Sequence, residues 1–334
     1  MKKLELISPA KLNLALAVSP SISDGKHLLQ SVFTTIDLAD RLVFEFRDDT
    51  EPALNVAMQY GPGIPEASIA QTDNIVYRAV QGFEQRFHFE LAGSLTIRVQ
   101  KSIPLQAGLG GGSSNAAATI KAMLELSGIE ANALELQSLA ASLGADVAFF
   151  LSGGCALMGG HGEVFQRQLV LPRLDLVLVK PRGGLSTALV YQEFTRQEAE
   201  REEAERQEAG RLEGGQRSLA GQISPANRAA RDIDSLVGLL DGFSAGHVQP
   251  HDAVLQIASL MMNNLSPAAE VLLPEISEVI QALDEQPGVL KAMLTGSGSA
   301  VFAVAKDREA ALAAASIFAG SGYWARACQT SPAE

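Results

Sequence analysis

Apolar residues recur along this chain with two periods, and the period separates its strands from its helices. Leu12, Leu14, Leu16 and Val18 alternate, as do Leu42, Phe44 and Phe46 after Asp40, and both runs predict strands. Leu95, Ile97 and Val99 repeat that alternation before a proline stop at Pro104. Helical spacing predicts an element over 74–87 and another over 113–126. The second places Ala116, Ile120, Met123 and Ser127 on one face and ends at Gly128. Asn132 and Glu135 have the spacing of a capping box, which starts a helix that stops at Gly144. Further on come a strand over 174–179, helices near 252–264 and 274–286, strands over 289–294 and 300–304, and a helix over 307–318. Strands and helices interleave in both halves and no fixed repeat is evident, so an α+β fold is expected. The length of 334 residues suggests two domains, divided as 1–168 and 169–334.

One segment breaks the pattern. Residues 196–217 are almost all Glu, Arg, Gln, Ala and Gly, with opposite charges three to five positions apart. Such pairs support a helix, but without an apolar face the segment cannot bury itself, so a solvated helix or mobile insert is expected.

Composition narrows the function classes. A hydrophobic content of 47% is that of a globular protein with a real core, and no apolar run approaches a membrane span. Two cysteines, Cys155 and Cys328, form neither a disulfide framework nor a metal pattern. The opening Met1-Lys2-Lys3-Leu4-Glu5 has no leader pattern, so a cytoplasmic protein is expected. A net charge of −12 argues against nucleic acid and anionic membranes as partners. A monomer and a homodimer both remain open.

The most informative stretch is Pro104-Leu105-Gln106-Ala107-Gly108-Leu109-Gly110-Gly111-Gly112-Ser113-Ser114, followed by Asn115 and alanines. Glycines let the backbone approach a ligand closely, and the following helix offers unpaired N–H groups and a favourable dipole to an anion. The expected ligand is the polyphosphate of a nucleoside triphosphate. The loop is neither of the two familiar types. No Gly-Lys-Ser/Thr follows it, and the dinucleotide fingerprint fails at Ser113 and Asn115.

Other candidates lie elsewhere in the chain. Lys11 and Asn13 sit two apart in an apolar strand and so share a face, which suits a phosphate or carboxylate. His27 follows the turn Ser23-Asp24-Gly25-Lys26. Asp146 opens the apolar run 145–151, where it could cap a short helix, serve as a catalytic carboxylate, or both. Gly296-Ser297-Gly298-Ser299 reads equally as a hairpin turn or as exposed backbone at a site.

Taken together, Pro-Ala-Lys-Leu-Asn-Leu from Pro9, Gly-Leu-Gly-Gly-Gly-Ser-Ser-Asn from Gly108, Gly-Ala-Asp-Val from Gly144 and the late Gly-Ser-Gly-Ser resemble the GHMP kinase superfamily. Asp24-Gly-x-His27 and Leu185-Ser-Thr-Ala before Tyr191 resemble its members that act on a cytidine diphosphate-linked polyol. The resemblance implies a ribosomal-protein-S5-like N-terminal domain that binds ATP and a ferredoxin-like C-terminal domain. It implies ATP and Mg²⁺ as co-substrate and cofactor, with residues 104–114 on the phosphates and Ser114 as a candidate metal ligand. Asp146 is then the catalytic base and Lys11 its charge partner. Asn13, His27 and Tyr191 are then on the acceptor, with His27 and Tyr191 at the cytosine. Lys26 stands where those kinases carry an aromatic residue, and its ammonium suits the acceptor diphosphate. Other acceptors of the superfamily (homoserine, mevalonate, a sugar) and a non-catalytic nucleotide-binding homologue are the alternatives.

Overall fold

The computed structural model describes residues 1–21, 27–48, 52–212 and 225–331. The turn carrying Lys26 lies outside these residues. The chain opens with two long antiparallel strands, β1 (Lys2–Ser21) and β2 (His27–Arg47). Their register shifts at Pro9/Ala10, Asn13/Ala15 and Val18/Ser21, which bends the pair. There follow β3 (Ala53–Tyr60), α1 (Ile75–Phe87), β4 (Ser94–Lys101) and α2 (Gly111–Ser127). Next are α3 (Ala133–Leu143), α4 (Val147–Ser152), β5 (Cys155–Gly159) and β6 (Val164–Leu169). The second half contains β7 (Asp175–Lys180), α5 (Thr187–Leu212), α6 (Pro225–Ser244), α7 (Pro250–Leu260) and β8 (Met262–Asn263). It closes with α8 (Ser266–Leu272), α9 (Glu275–Asp284), β9 (Val289–Leu294), β10 (Val301–Ala305), α10 (Arg308–Gly320) and β11 (Trp324–Gln329).

Two sheets organise the described residues. The first runs β3-β4-β2-β1-β8, with β5 paired to the early part of β2 and β6 paired to β5. Helices α1 to α4 cover one face, where Phe44, Phe83, Ile97, Ile120 and Phe149 share a core. Leu12, Leu14 and Ala10 pack instead with Ile233 and Leu236 of α6 and Ile257 of α7. Strand β1 is therefore covered on both faces and residues 10–18 are all buried, Lys11 and Asn13 included. The second sheet is antiparallel in the order β11-β7-β10-β9. Numbered along the chain, that order is 4-1-3-2 in a split βαβ arrangement, the expected ferredoxin-like topology.

The long helix α5 explains the charged segment. Val190 and Phe194 bury its first turns, after which side chains pair along the exposed helix. Arg196 reaches Glu193 and Glu200, and Arg206 reaches Glu202 and Glu203. Residues 196–212 are helical, with the mostly exposed side chains expected over 196–207, and 213–217 lie outside the described residues. No described helix is long and apolar enough to cross a membrane.

Candidate active site

Helix α2 begins at the glycine loop. Its N-cap is Gly110, in the left-handed conformation at φ 68°, and no side chain caps it. The free N–H groups of its first turn face a cavity of about 370 Å³ that residues 104–113 line, with Asn74, Ile75 and Lys101 opposite. Only glycine fits at two of these positions. A Cβ on Gly108 (φ 72°) would meet Thr295 O at 2.3 Å, and one on Gly110 would meet Lys11 Cγ and the Phe150 ring at 2.9 Å. The loop is braced from the second sheet by Ser299 N–H donating to Gln106 O (3.3 Å) and Ala300 N–H to Ala107 O (3.1 Å).

Beneath the loop lies an ion pair that the sequence reading missed. The Lys101 ammonium contacts Asp40 Oδ2, and both side chains are buried. Asp40 also accepts hydrogen bonds from the N–H groups of Ser102 (2.7 Å) and Ile103 (2.9 Å) and from Asn115 Nδ2 (3.1 Å). One carboxylate thereby ties the end of β4 to the first turn of α2. Lys101 Nζ comes within 3.3 Å of where a Cβ on Gly111 would stand, so its positive charge underlies the cavity of the glycine loop.

On the other side of Gly108 and Gly110 is a second cleft, of about 430 Å³. Lys11, Asn13, His27, Asp146 and Tyr191 all line it, so most of the dispersed candidates converge there. Lys11 Nζ donates to Asn13 Oδ1 at 2.6 Å and lies 3.6 Å from Asp146 Oδ2. Asn13 Nδ2 donates to Ser31 Oγ, whose hydroxyl donates in turn to Ala15 O. The Phe33 ring, 4.8 Å from Lys11 Nζ, completes the ammonium's surroundings. Asp146 occupies the N-cap position of α4 but makes no capping bond, and its side chain is 30% exposed to the cleft. Its carboxylate is left to face Lys11 and any ligand. Gly296 closes this corner, within 3.3 Å (as a Cβ) of both Asn13 Oδ1 and Lys11 Nζ.

At the far end, His27 packs against Tyr191 (5.4 Å) and Phe194 (5.5 Å). Its Nδ1 donates to Ser19 O at 2.8 Å, and Nε2 is 2.9 Å from Thr195 Oγ1. Burial first, and the Asp146 charge second, push the Tyr191 phenol up to about 12, so it stays a neutral donor. Ser114, by contrast, lies outside both cavities: it is buried, and its Oγ accepts from Ser8 Oγ at 2.7 Å. Thr187 and Ser297, from the Leu185-Ser-Thr-Ala and Gly296-Ser297-Gly298-Ser299 motifs, line the cleft, and so does His161, which the sequence had not singled out. The Gly160-His161-Gly162 run was the one available signal.

Comparison with known proteins gives the family. The family description "GHMP kinases N terminal domain" matches residues 74–154, and "GHMP kinases C terminal" matches 249–323. The chain belongs to the GHMP kinase family and has its two-domain α+β fold. A relative in Polaromonas sp. (strain JS666 / ATCC BAA-500), named 4-diphosphocytidyl-2-C-methyl-D-erythritol kinase, is 36% identical over 89% of this chain and 82% of its own. A solved structure of 4-(cytidine 5'-diphospho)-2C-methyl-D-erythritol kinase superposes with a TM-score of 0.67 at 29% identity, covering 98% of this chain and 99% of that one. The L. major mevalonate kinase in complex with R-mevalonate reaches 0.69 at 18% identity, covering 98% and 96%. The fold is therefore shared among kinases of different acceptors, and the choice between acceptors rests on sequence identity and on the cleft.

Proposed function

We propose that this protein transfers the γ-phosphoryl group of ATP to the 2-hydroxyl of 4-diphosphocytidyl-2-C-methyl-D-erythritol, a step of non-mevalonate isoprenoid precursor synthesis. The observation that carries this reading is the Lys11–Asp146 pair, set where two cavities share Gly108 and Gly110. The chain's similarity to relatives of that name supports the choice of acceptor.

On this reading residues 1–168 supply the nucleotide site and the base, and 169–334 cover them. The N–H groups of the glycine loop and the first turn of α2 hold the ATP phosphates, with Lys101 adding positive charge from below. Asp146 takes the proton of the attacking hydroxyl as its oxygen bonds to the γ-phosphorus. The bond to the β-phosphate bridging oxygen breaks and ADP leaves. Lys11, held by Asn13, keeps the Asp146 carboxylate ionised and aligned for that transfer. Tyr191 and His27 receive the cytosine, the imidazole exchanging Thr195 for the base edge. Transfer from ATP calls for a Mg²⁺ ion, which would arrive with the nucleotide. Among the described residues no cluster of three or more His, Cys, Asp or Glu could hold a metal, so ATP oxygens and water supply most ligands. When bound, the ion neutralises charge on the transferring phosphoryl group.

The test is ATP consumption with this acceptor and Mg²⁺, with phosphorus NMR of the product. A new phosphomonoester made by the wild type and lost in Asp146→Asn is the expected result. ATP binding without turnover would redirect the reading to acceptors lacking cytidine.

A further inference from the structure

We propose that His161 binds the diphosphate that links nucleoside to polyol in the acceptor; this rests on the functional reading above. The imidazole stands on a tight turn between β5 and β6. Gly162 N–H donates to Gly159 O (3.0 Å), and Leu29 N–H donates to Gly160 O (2.8 Å), which docks the turn on β2. Glu163 spends one carboxylate oxygen on the His161 backbone N–H at 2.8 Å. His161 Nδ1 lies 2.7 Å from His27 O. A carbonyl only accepts, so Nδ1 carries a proton and the opposite nitrogen, Nε2, is free to meet a ligand. Nε2 has no hydrogen-bond partner among the described residues and is not among the buried atoms that lack one, so it is accessible, on a residue that lines the cleft.

Position then selects the ligand group. His161 is bonded to the backbone of His27, at the end of the cleft assigned to the base. The adjacent Gly162 lies against the reacting end, since a Cβ there would be 3.8 Å from Asp146 Oδ1. In the acceptor, the group between base and polyol is the diphosphate. Charge points the same way. Lys11 and Asp146 face one another in the described lining of the cleft, and both ring nitrogens of His27 are engaged. His161 adds to these a ring nitrogen with no partner among the described residues. In an imidazolium both ring nitrogens donate, and an Nε2–H facing an anion is then a charge-assisted donor.

Two amide variants separate this role from simple support of His27. His161→Asn places an N–H near the position of Nδ1 and removes Nε2, whereas His161→Gln carries an amide toward the position of Nε2. The Asn variant should raise the acceptor KM about tenfold and weaken competitive inhibition by CDP by a similar factor. Inhibition by cytidine and the KM for ATP should change less than about twofold, and Gln should recover most of the loss. An acceptor KM and CDP inhibition unchanged in Asn would overturn the proposal. So would equal weakening of CDP and cytidine, which would make His161 a positioning residue for His27. Wild-type turnover keeps the two readings apart. Failure of the wild type to phosphorylate this acceptor overturns the functional reading itself, whereas turnover with an unaltered Asn variant overturns only the role of His161.

Discussion

Two lysine–aspartate pairs flank the glycine loop, and they differ in what they leave unspent. Lys101 and Asp40 are buried, and the carboxylate accepts from two backbone N–H groups and Asn115 as well as the ammonium. Lys11 is equally buried, but its partner Asp146 is partly exposed and has no capping bond to make. The closed pair's carboxylate has no lone pair left to offer a substrate, so it sets the position of the loop, and Lys101 lends the cavity only its charge. The open pair retains carboxylate lone pairs beside a cleft, which is what a proton acceptor requires. Residue type and charge are the same in both, and only the remaining hydrogen-bonding capacity distinguishes structure from chemistry.

Substitutions can break this contrast. Asp40→Asn strands a buried ammonium, so it should lower stability by about 3–5 kcal/mol, read as a fall in the urea midpoint. Asp146→Asn should lower that midpoint less, because Lys11 keeps Asn13 Oδ1 and the Phe33 ring, while lowering kcat at least about a hundredfold, equivalent to about 2.7 kcal/mol of barrier. A loss of stability in Asp146→Asn matching that in Asp40→Asn would erase the distinction. Gly110→Ala sharpens it from the loop between them. At φ 68° with contacts of 2.9 Å to Lys11 and Phe150, the added methyl should cost about 1–3 kcal/mol and raise the KM for ATP. The smallest effect is expected from deleting 196–217. Arg196 adjoins Thr195 at the end of the cleft, but the pairs beyond it, such as Arg206–Glu202, are exposed and farther along α5, so kcat/KM should stay within about twofold.

Local chemistry made much of this legible in advance. The Asn132–Glu135 capping box, Gly128 as the left-handed stop of α2 and the shared face of Lys11 and Asn13 depend on neighbours a few residues away. Long-range pairing was not legible. Strand β6 has mostly exposed, polar positions and exists because β5 pairs with it, and β3 lies parallel to β4 across an intervening helix. Helix α2 starts two residues before the expected position because Gly110, by turning left-handed, lets Gly111 enter the helix. Asp40 read as no more than the residue before an alternating strand. Its role depends on Lys101, Ile103 and Asn115, which lie 61 to 75 positions away in the chain. His161 was hidden for the same reason, since its partner carbonyl is 134 residues distant.

The two cavities share Gly108 and Gly110, which has a consequence for inhibitor chemistry. A single molecule carrying an adenosine-like group in one cavity, a polyol or base in the other and an anionic linker across those two glycines could occupy both together. It would lose its translational freedom once instead of twice, so two weak fragments joined in this way could hold the enzyme far more tightly than either alone. The absence of a side chain at either glycine is what lets the backbone between the cavities pack directly on Thr295, Lys11 and Phe150.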